Sequence, residues 1–146
     1  MIRVGILNVT GYAGSELVRI LWNHHPDVEI RSVTGRSAAG QSLSKALPHL
    51  REIDLEITSS IEDSVDLVFS ALPSGASANA IAPLLENGTR VVDIAADFRI
   101  HDAKEFKNSY KIDHPAEHLL ARAVYGLPEI HRNDINGATL VANPGC

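Results

Sequence analysis

The sequence predicts an α/β protein with a doubly wound, mainly parallel, Rossmann-like sheet. Three observations support this class. Short apolar runs rich in β-branched residues recur along the chain, helix-length segments separate most of them, and a glycine-rich turn follows the first run. Parallel strands need a crossover of about a dozen residues or more, and the separating segments supply that length. We therefore expect one domain over residues 1–146.

Each predicted element follows from a local pattern. The predicted strands are the apolar runs at residues 2–7, 28–34, 55–58, 66–72, 90–94 and 138–142. Apolar residues at helical spacing predict helices over residues 15–25 and 77–86. Pro83 predicts a break or kink in the second helix, unless the helix restarts there. Residues 41–53 are predicted to be partly helical, and the polar residues 101–118 predict a surface excursion.

The composition excludes several classes of function. The formal net charge of −5 argues against a general nucleic-acid or anionic-membrane surface. No apolar run approaches the roughly 18 residues that span a bilayer, and the chain enters a predicted strand at once, so we expect no membrane segment and no signal peptide. The single cysteine, Cys146, fits a reducing cytoplasm. These observations predict a cytoplasmic protein that contacts neither nucleic acid nor membrane.

Two histidines have a spacing that metal ligands use. His114 and His118 stand four residues apart, so both would lie on one face of a helix. The sequence shows no third ligand beside them. We therefore predict solvated surface histidines and no metal site.

The turn after the first predicted strand has the composition of a phosphate cradle. Gly11 and Gly14 stand at Gly-x-x-Gly spacing, and Asn8, which tolerates a positive φ, holds the place of a first glycine. Glycines here let backbone amides at a helix N-terminus approach a pyrophosphate. The residues predicted to bind a dinucleotide are Thr10, Gly11, Tyr12, Ala13 and Gly14. The alternative is a turn that needs glycine for its geometry alone.

The end of the second predicted strand bears on the choice of cofactor. NAD-binding folds usually carry an acidic residue there for the ribose 2′-hydroxyl, whereas an arginine accommodates a 2′-phosphate. This chain has Arg36 and Ser37 and no acid at that point. A guanidinium beside a hydroxyl suits a phosphate ester, so we predict NADP rather than NAD. The alternative is that Arg36 is a solvated surface residue.

Cys146 directly follows a Pro-Gly turn after the last predicted strand. A thiol at a strand-to-helix junction meets free amides and a helix dipole, which lower its pKa and favour the thiolate. Such a thiolate suits acyl transfer, and Cys146 is therefore a candidate nucleophile. The alternative is a small buried residue without a chemical role.

Six further segments along nearly the whole chain form recognisable motifs: residues 10–17, 34–37 with Gly40, 71–75, 92–99, 125–129 and 143–146. In order and spacing these segments resemble the N-acetyl-γ-glutamyl-phosphate reductases. The Ala-Asp-Phe-Arg, Tyr-Gly-Leu-Pro-Glu and Asn-Pro-Gly-Cys sequences within them are specific. The glycine turn is less so, because aspartate-semialdehyde dehydrogenases share its style and also use a cysteine, in a different motif.

The resemblance implies reduction of N-acetyl-γ-glutamyl phosphate by NADPH to N-acetylglutamate semialdehyde and phosphate, in arginine biosynthesis. Cys146 matches the nucleophile, which forms a thioester that accepts hydride. The turn Pro73, Ser74 and Gly75 should lie beside the nucleotide.

Further roles implied by the resemblance are less specific. Arg99 and Asn143 are candidate substrate-binding residues, and Arg99 could instead form an ion pair with Asp97 or Asp93. Glu129 could orient a catalytic group, although a structural turn around Pro128 is the preferred interpretation.

Family members are about twice as long or more, and their second domain supplies a catalytic histidine, much of the substrate pocket and the oligomer interface. We therefore expect this chain to be the cofactor-binding part of a homo-oligomeric enzyme, able to bind nucleotide and inactive alone. Three alternatives stay open: an aspartate-semialdehyde dehydrogenase-like enzyme, a lysine-pathway aminoadipyl-phosphate reductase, and a non-catalytic NADP-binding module.

Overall fold

The computed structural model describes residues 1–61 and 64–145. The chain divides into two units, Met1–Ala71 and Leu72–Cys146. The described residues form seven strands with intervening helices, and the strand pairs within each unit are parallel. The predicted α/β class with a parallel, Rossmann-like sheet is confirmed.

The first unit is built on four strands in the order β3-β2-β1-β4. Its elements in chain order are β1 (Ile2–Leu7), α1 (Tyr12–His24), β2 (Val28–Thr34), α2 (Leu43–Ala46), β3 (Ile57–Thr58) and β4 (Leu67–Ser70). Short 3-10 turns cover Arg36–Ala38 and Pro48–Leu50. Helix α1 begins at Tyr12 rather than Ser15, because residues 12–14 of the glycine turn already form its first turn.

The core of the first unit lies where α1 covers the sheet. Val18 and Leu21 of α1 are buried, and the inner residues of β1, such as Val4 and Ile6, are fully buried. Strands that are buried on both faces have nearly continuous apolar sequences. This pattern predicted β1 and β2, and their observed bounds are the predicted ones. The spacing of buried residues in α1 follows the helical period, so this face alone packs inward.

The second unit contains three strands in the order β5-β7-β6. Its elements in chain order are α3 (Ser77–Glu86), β5 (Arg90–Asp93), α4 (Ala103–Tyr110), β6 (Ala123–Tyr125), α5 (Pro128–Gly137) and β7 (Leu140–Ala142). Helix α3 has the predicted bounds and continues through Pro83, so the expected break is absent. A further 3-10 segment covers Glu117–Arg122.

The surface excursion predicted over residues 101–118 has a buried side. Phe106 and His114 are 1% and 5% exposed, and they face each other edge to face with ring centroids 4.7 Å apart. The prediction that His114 is a solvated histidine is therefore wrong, whereas His118 is exposed as predicted. Helix α4 was missed because only Phe106 among its residues is buried, which leaves no apolar periodicity to detect.

In the part of the chain that the structure describes, no helix combines the length and apolar character needed to cross a bilayer.

Candidate functional site

The turn after β1 is closed by Asn8. Its backbone has a φ of 65°, the left-handed region that the sequence predicted for this position. Its side-chain Nδ2 donates to the carbonyl of Ala71 at 2.9 Å, and its backbone N–H donates to Thr34 Oγ1 at 3.2 Å. Asn8 therefore provides the turn that a glycine would allow, and it adds a bond to the segment after β4 that glycine could not make.

Gly14 is required by the close approach of α1 to this turn. A Cβ at Gly14 would collide with the carbonyl oxygen of Asn8 and lie 2.9 Å from the Cα of Val9. At Gly11 a Cβ would lie 2.9 Å from Asn8 Nδ2. Both glycines thus serve the geometry of the protein itself, which was one of the two interpretations of this motif.

The N-terminus of α1 is open. Gly11 precedes the helix with extended backbone, and among the described residues no side chain caps the helix and no acidic residue lies in its first turn. The first N–H groups of a helix lack intrahelical partners, and the helix dipole makes this end positive. Tyr12 is 98% exposed, so its side chain does not cover the turn. This end of α1 has the properties of a phosphate site.

The end of β2 lies against the same turn. A Cβ at Gly35 would be 3.1 Å from Thr10 Cγ2, so the residues before Arg36 contact the glycine turn directly. Arg36 and Ser37 are exposed, and neither side chain has a hydrogen bond or ion pair among the described residues. The structure therefore brings the predicted cofactor residues of the first unit together, with a guanidinium free to meet an anion.

The turn before α3 is arranged differently. The carboxylate of Asp97, which is 1% exposed, accepts the N–H of Gly75 at 2.7 Å and that of Ala78 at 2.9 Å. Ser74 Oγ accepts the N–H of Ala96 at 3.2 Å. The N-terminus of α3 is thus occupied by a carboxylate of the protein, and this role of Asp97 was missed by sequence reasoning.

Arg99 joins two backbone segments. Its Nε donates to the carbonyl of Asn143 at 2.8 Å, and its Nη2 donates to that of Ile94 at 2.7 Å. Its Nη1 lies 2.7 Å from where a Cβ on Gly145 would be. The two candidate substrate residues, Arg99 and Asn143, are therefore brought together. Within the described ranges Arg99 makes no ion pair with Asp93 or Asp97, the alternative raised from the sequence.

Asp93, which the sequence suggested only as an ion-pair partner of Arg99, is a buried acid. Its Oδ1 accepts from Ser77 Oγ at 2.6 Å and from the N–H of Ala95 at 3.1 Å. Its Oδ2 is buried and has no hydrogen-bond partner among the residues that the structure describes. Burial raises the pKa of the Asp93 carboxyl to about 6, against the lowering effect of the Ser77 hydrogen bond. A charged residue at the end of a buried apolar run was the available clue.

Other predicted residues have clear outcomes. Cys146, the predicted nucleophile, lies outside the described residues.

His114 accepts the N–H of Ala116 at its Nδ1 and therefore donates from Nε2 to the carbonyl of Asp97, at 2.8 Å. Over residues 1–61 and 64–145 no group of three or more potential ligands could hold a metal ion. Glu129 is exposed in the first turn of α5, which begins at Pro128.

An open helix N-terminus after β1, glycines packed against it and an unpaired arginine after β2 define a nucleotide-binding domain of Rossmann type. The chain belongs to the family described as "Semialdehyde dehydrogenase, NAD binding domain", which matches residues 3–138.

Relatives of this chain have the family name that the sequence motifs indicated. The chain is 56% identical over 144 residues to the N-acetyl-gamma-glutamyl-phosphate reductase of Dehalococcoides mccartyi, a match covering 99% of this chain and 42% of that protein. It is 45% identical over 154 residues to the reductase of the same name from Desulforudis audaxviator, covering 100% and 43%. The resemblance is thus confirmed, and the chain spans under half the length of these relatives.

Solved structures support the fold. Aspartate semialdehyde dehydrogenase II from Vibrio cholerae, complexed with ASA, matches with a TM-score of 0.72 at 16% identity, over 100% of this chain and 42% of that one. The Candida albicans aspartate semialdehyde dehydrogenase with NADP matches with a TM-score of 0.63 at 18% identity, over 98% and 42%. At these identities the likeness concerns the fold alone.

Proposed function

We propose that this chain is the NADPH-binding domain of an N-acetyl-γ-glutamyl-phosphate reductase. The observation that carries the proposal is the 56% identity over 99% of the chain to a protein of that name. The predicted domain, residues 1–146, binds the cofactor, and the reduced substrate is a small acyl phosphate. The protein acts in the cytoplasm, as part of a homo-oligomer.

The first unit fits an NADPH molecule. The open amides of α1 suit the pyrophosphate, and the Gly14 position leaves no room for a side chain that would cover them. Arg36 and Ser37 suit the 2′-phosphate, since both are exposed beside the glycine turn. The residues proposed to hold the cofactor are Thr10, Gly11, Tyr12, Ala13, Gly14, Arg36, Ser37, Pro73, Ser74 and Gly75. When bound, the cofactor supplies the hydride for the reduction.

The remaining chemistry is assigned to Cys146. Its thiolate attacks the acyl carbon, the bond from that carbon to the phosphate oxygen breaks, and inorganic phosphate leaves with the bonding electrons. The resulting thioester takes up one hydride and one proton, and the carbon–sulfur bond breaks to release the aldehyde and the thiol. Arg99 supports this assignment, because its Nη1 hydrogens have no acceptor among the described residues and suit an anionic substrate or the leaving phosphate.

The isolated 146-residue chain is proposed to bind NADPH without turnover. The relatives are more than twice its length, and positioning and acid–base groups are spread over a whole enzyme.

A chimera tests the proposal directly. It joins this chain to the part of the D. mccartyi reductase that the chain does not cover. We expect the chimera to oxidise NADPH with N-acetyl-γ-glutamyl phosphate, and the Cys146→Ser form to have lost turnover while it still binds NADPH. Turnover with aspartyl phosphate or aminoadipyl phosphate instead would overturn the substrate assignment. A chimera that folds but binds no NADPH would overturn the function.

A further inference from the structure

A cleft of about 300 Å³ opens on the first unit, between the C-terminal half of α1 and the segment that follows α2. Arg19, Trp22 and Asn23 line it from the helix, and residues 48–53 line it from the other side. Small-molecule sites in proteins have volumes from about 300 Å³ upward. Along the helix axis Trp22 is about 15 Å from the open N-terminus of α1, so this cleft is a separate feature of the first unit.

Trp22 gives the cleft an exposed aromatic wall. It is the single tryptophan of the chain and is 51% exposed, although a large apolar side chain gains free energy when it is buried. The inward face of α1 includes Val18 and Leu21, so Trp22 lies beside the buried stripe of the helix. A half-exposed indole at the wall of a cleft suits a planar group that stacks on it.

The opposite wall of the cleft is held by buried side chains. Pro48 begins the 3-10 turn, where its ring fixes φ. Leu50 and Ile53 are 4% and 3% exposed, and the N–H of Ile53 donates to the carbonyl of Leu50 at 3.0 Å. Arg51 and Glu52 stand between these two buried residues and are exposed. Their charged groups therefore project from an anchored backbone, which needs little reordering when a ligand binds.

The charged groups at the cleft differ in whether they have partners. Arg19 is paired, because its Nε and Nη2 donate to the Glu16 carboxylate at 2.9 and 2.6 Å. This hydrogen bond lowers the pKa of Glu16 below its ordinary value. The side chains of Arg51 and Glu52 have no hydrogen bond or ion pair within residues 1–61 and 64–145. The cleft thus offers one unpaired guanidinium and one unpaired carboxylate.

We propose that this cleft binds a free α-amino acid whose side chain is planar. The carboxylate of the ligand meets Arg51, its ammonium group meets Glu52, and its side chain stacks on the indole of Trp22. An α-amino acid carries opposite charges on one carbon, which matches the opposite unpaired charges on these two neighbouring residues. A guanidinium takes a carboxylate through two parallel hydrogen bonds. The site uses none of the residues proposed to hold the cofactor, so it is independent of the proposed function.

Four probes separate the three contacts. L-phenylalanine has all three groups, 3-phenylpropionate lacks the ammonium, phenethylamine lacks the carboxylate, and L-alanine lacks the ring. Each is titrated into the 146-residue chain while the fluorescence of Trp22, its single tryptophan, is followed. We expect L-phenylalanine to change this fluorescence with saturation. The other three probes should bind about fivefold more weakly or less, which is the effect of one exposed charge pair or one stacked ring.

Two variants connect each probe to its protein group. Arg51→Gln should weaken L-phenylalanine about fivefold and leave phenethylamine unchanged, because that probe has no carboxylate. Glu52→Gln should weaken L-phenylalanine and leave 3-phenylpropionate unchanged, because that probe has no ammonium group. Both side chains are exposed, so the substitutions should not disturb folding. Arg31→Gln, which changes an exposed arginine of β2, is the matched control and should alter no affinity.

The proposal is overturned if L-phenylalanine leaves the fluorescence unchanged, if all four probes bind equally, or if Arg31→Gln has the same effect as Arg51→Gln. A fluorescence of Trp22 that changes when the chain alone is diluted would show instead that a second copy occupies the cleft. NADPH affinity is measured on the same samples. If NADPH binds and L-phenylalanine does not, this inference fails and the proposed function stands, and the reverse result separates the two in the other direction.

Discussion

The helices α1 and α3 both begin at glycine-containing turns, and their N-termini are in opposite states. The N-terminus of α1 is open, with no side-chain cap among the described residues. That of α3 is filled by the buried carboxylate of Asp97. One structural device thus serves two purposes, since an open end attracts an external phosphate and a filled end fixes the shape of a loop. A glycine turn before a helix is therefore insufficient to identify a phosphate site.

The largest expected effect comes from adding a side chain at Gly14, at the open N-terminus of α1. Gly14→Ala places a Cβ against the Asn8 carbonyl and the Val9 backbone, neither of which can rotate away. We expect the free energy of unfolding to fall by about 3 kcal/mol, as for severe overpacking, and NADPH binding to be lost. Urea denaturation and calorimetric titration measure the two effects.

Gly137→Ala is the matched control, because nothing lies within 4 Å of its would-be Cβ. Alanine there should be neutral or slightly stabilising. Equal effects of the two substitutions would show that the close approach of α1 to its turn is not what requires glycine.

The second prediction concerns the filled turn, where Asp93 accepts a hydrogen bond from Ser77, the first residue of α3. Its folded-state pKa of about 6 lies above the ordinary 3.8, so the folded state favours the protonated acid. Stability from this group is fully present below about pH 4 and is lost as the pH rises through about 6, a loss of ~3 kcal/mol at most.

Asp93→Asn removes this titration and retains an oxygen for Ser77 and Ala95. We expect the difference in unfolding free energy between the unmodified chain and Asp93→Asn to shift in favour of the variant between about pH 4 and pH 6, and then to level off. Urea denaturation across this range provides the measurement, with Asp102→Asn as an exposed control. Parallel pH curves for the unmodified chain and Asp93→Asn would contradict the prediction.

The smallest expected effect tests whether Arg36, beside the open N-terminus of α1, binds the 2′-phosphate of NADPH. Arg36→Ala should weaken NADPH about tenfold to a hundredfold, the range for one charge-assisted hydrogen bond, and leave NADH affinity unchanged. Calorimetric titration with both cofactors tests this. Arg51→Ala, another exposed arginine of the first unit, should change neither affinity. Equal affinity of the unmodified chain for NADPH and NADH would rule out the 2′-phosphate role.

Some elements were predictable because their patterns are local and strong. Strands β1 and β2 are long apolar runs, and α3 has buried residues at helical spacing, so their predicted bounds match the structure. Helices α4 and α5 and strand β6 were missed. Helix α4 buries one residue and α5 buries none, so neither has an apolar periodicity to detect. Strand β6 has only three residues, which is too short for a pattern. Such elements form through contacts with the rest of their unit.

In the candidate site, too, some features depend on local sequence and others on contacts between distant residues. The sequence by itself determined the glycine turn, the positive φ of Asn8 and the place of Arg36, because these depend on residues close together in one stretch of chain. Tertiary structure alone decided that Asp97 caps α3 and that Arg99 holds Asn143, pairs separated by 19 and 44 residues. A carboxylate or guanidinium read in sequence shows its charge but not its partner, and the partner decides whether that charge is left for a ligand or used within the fold.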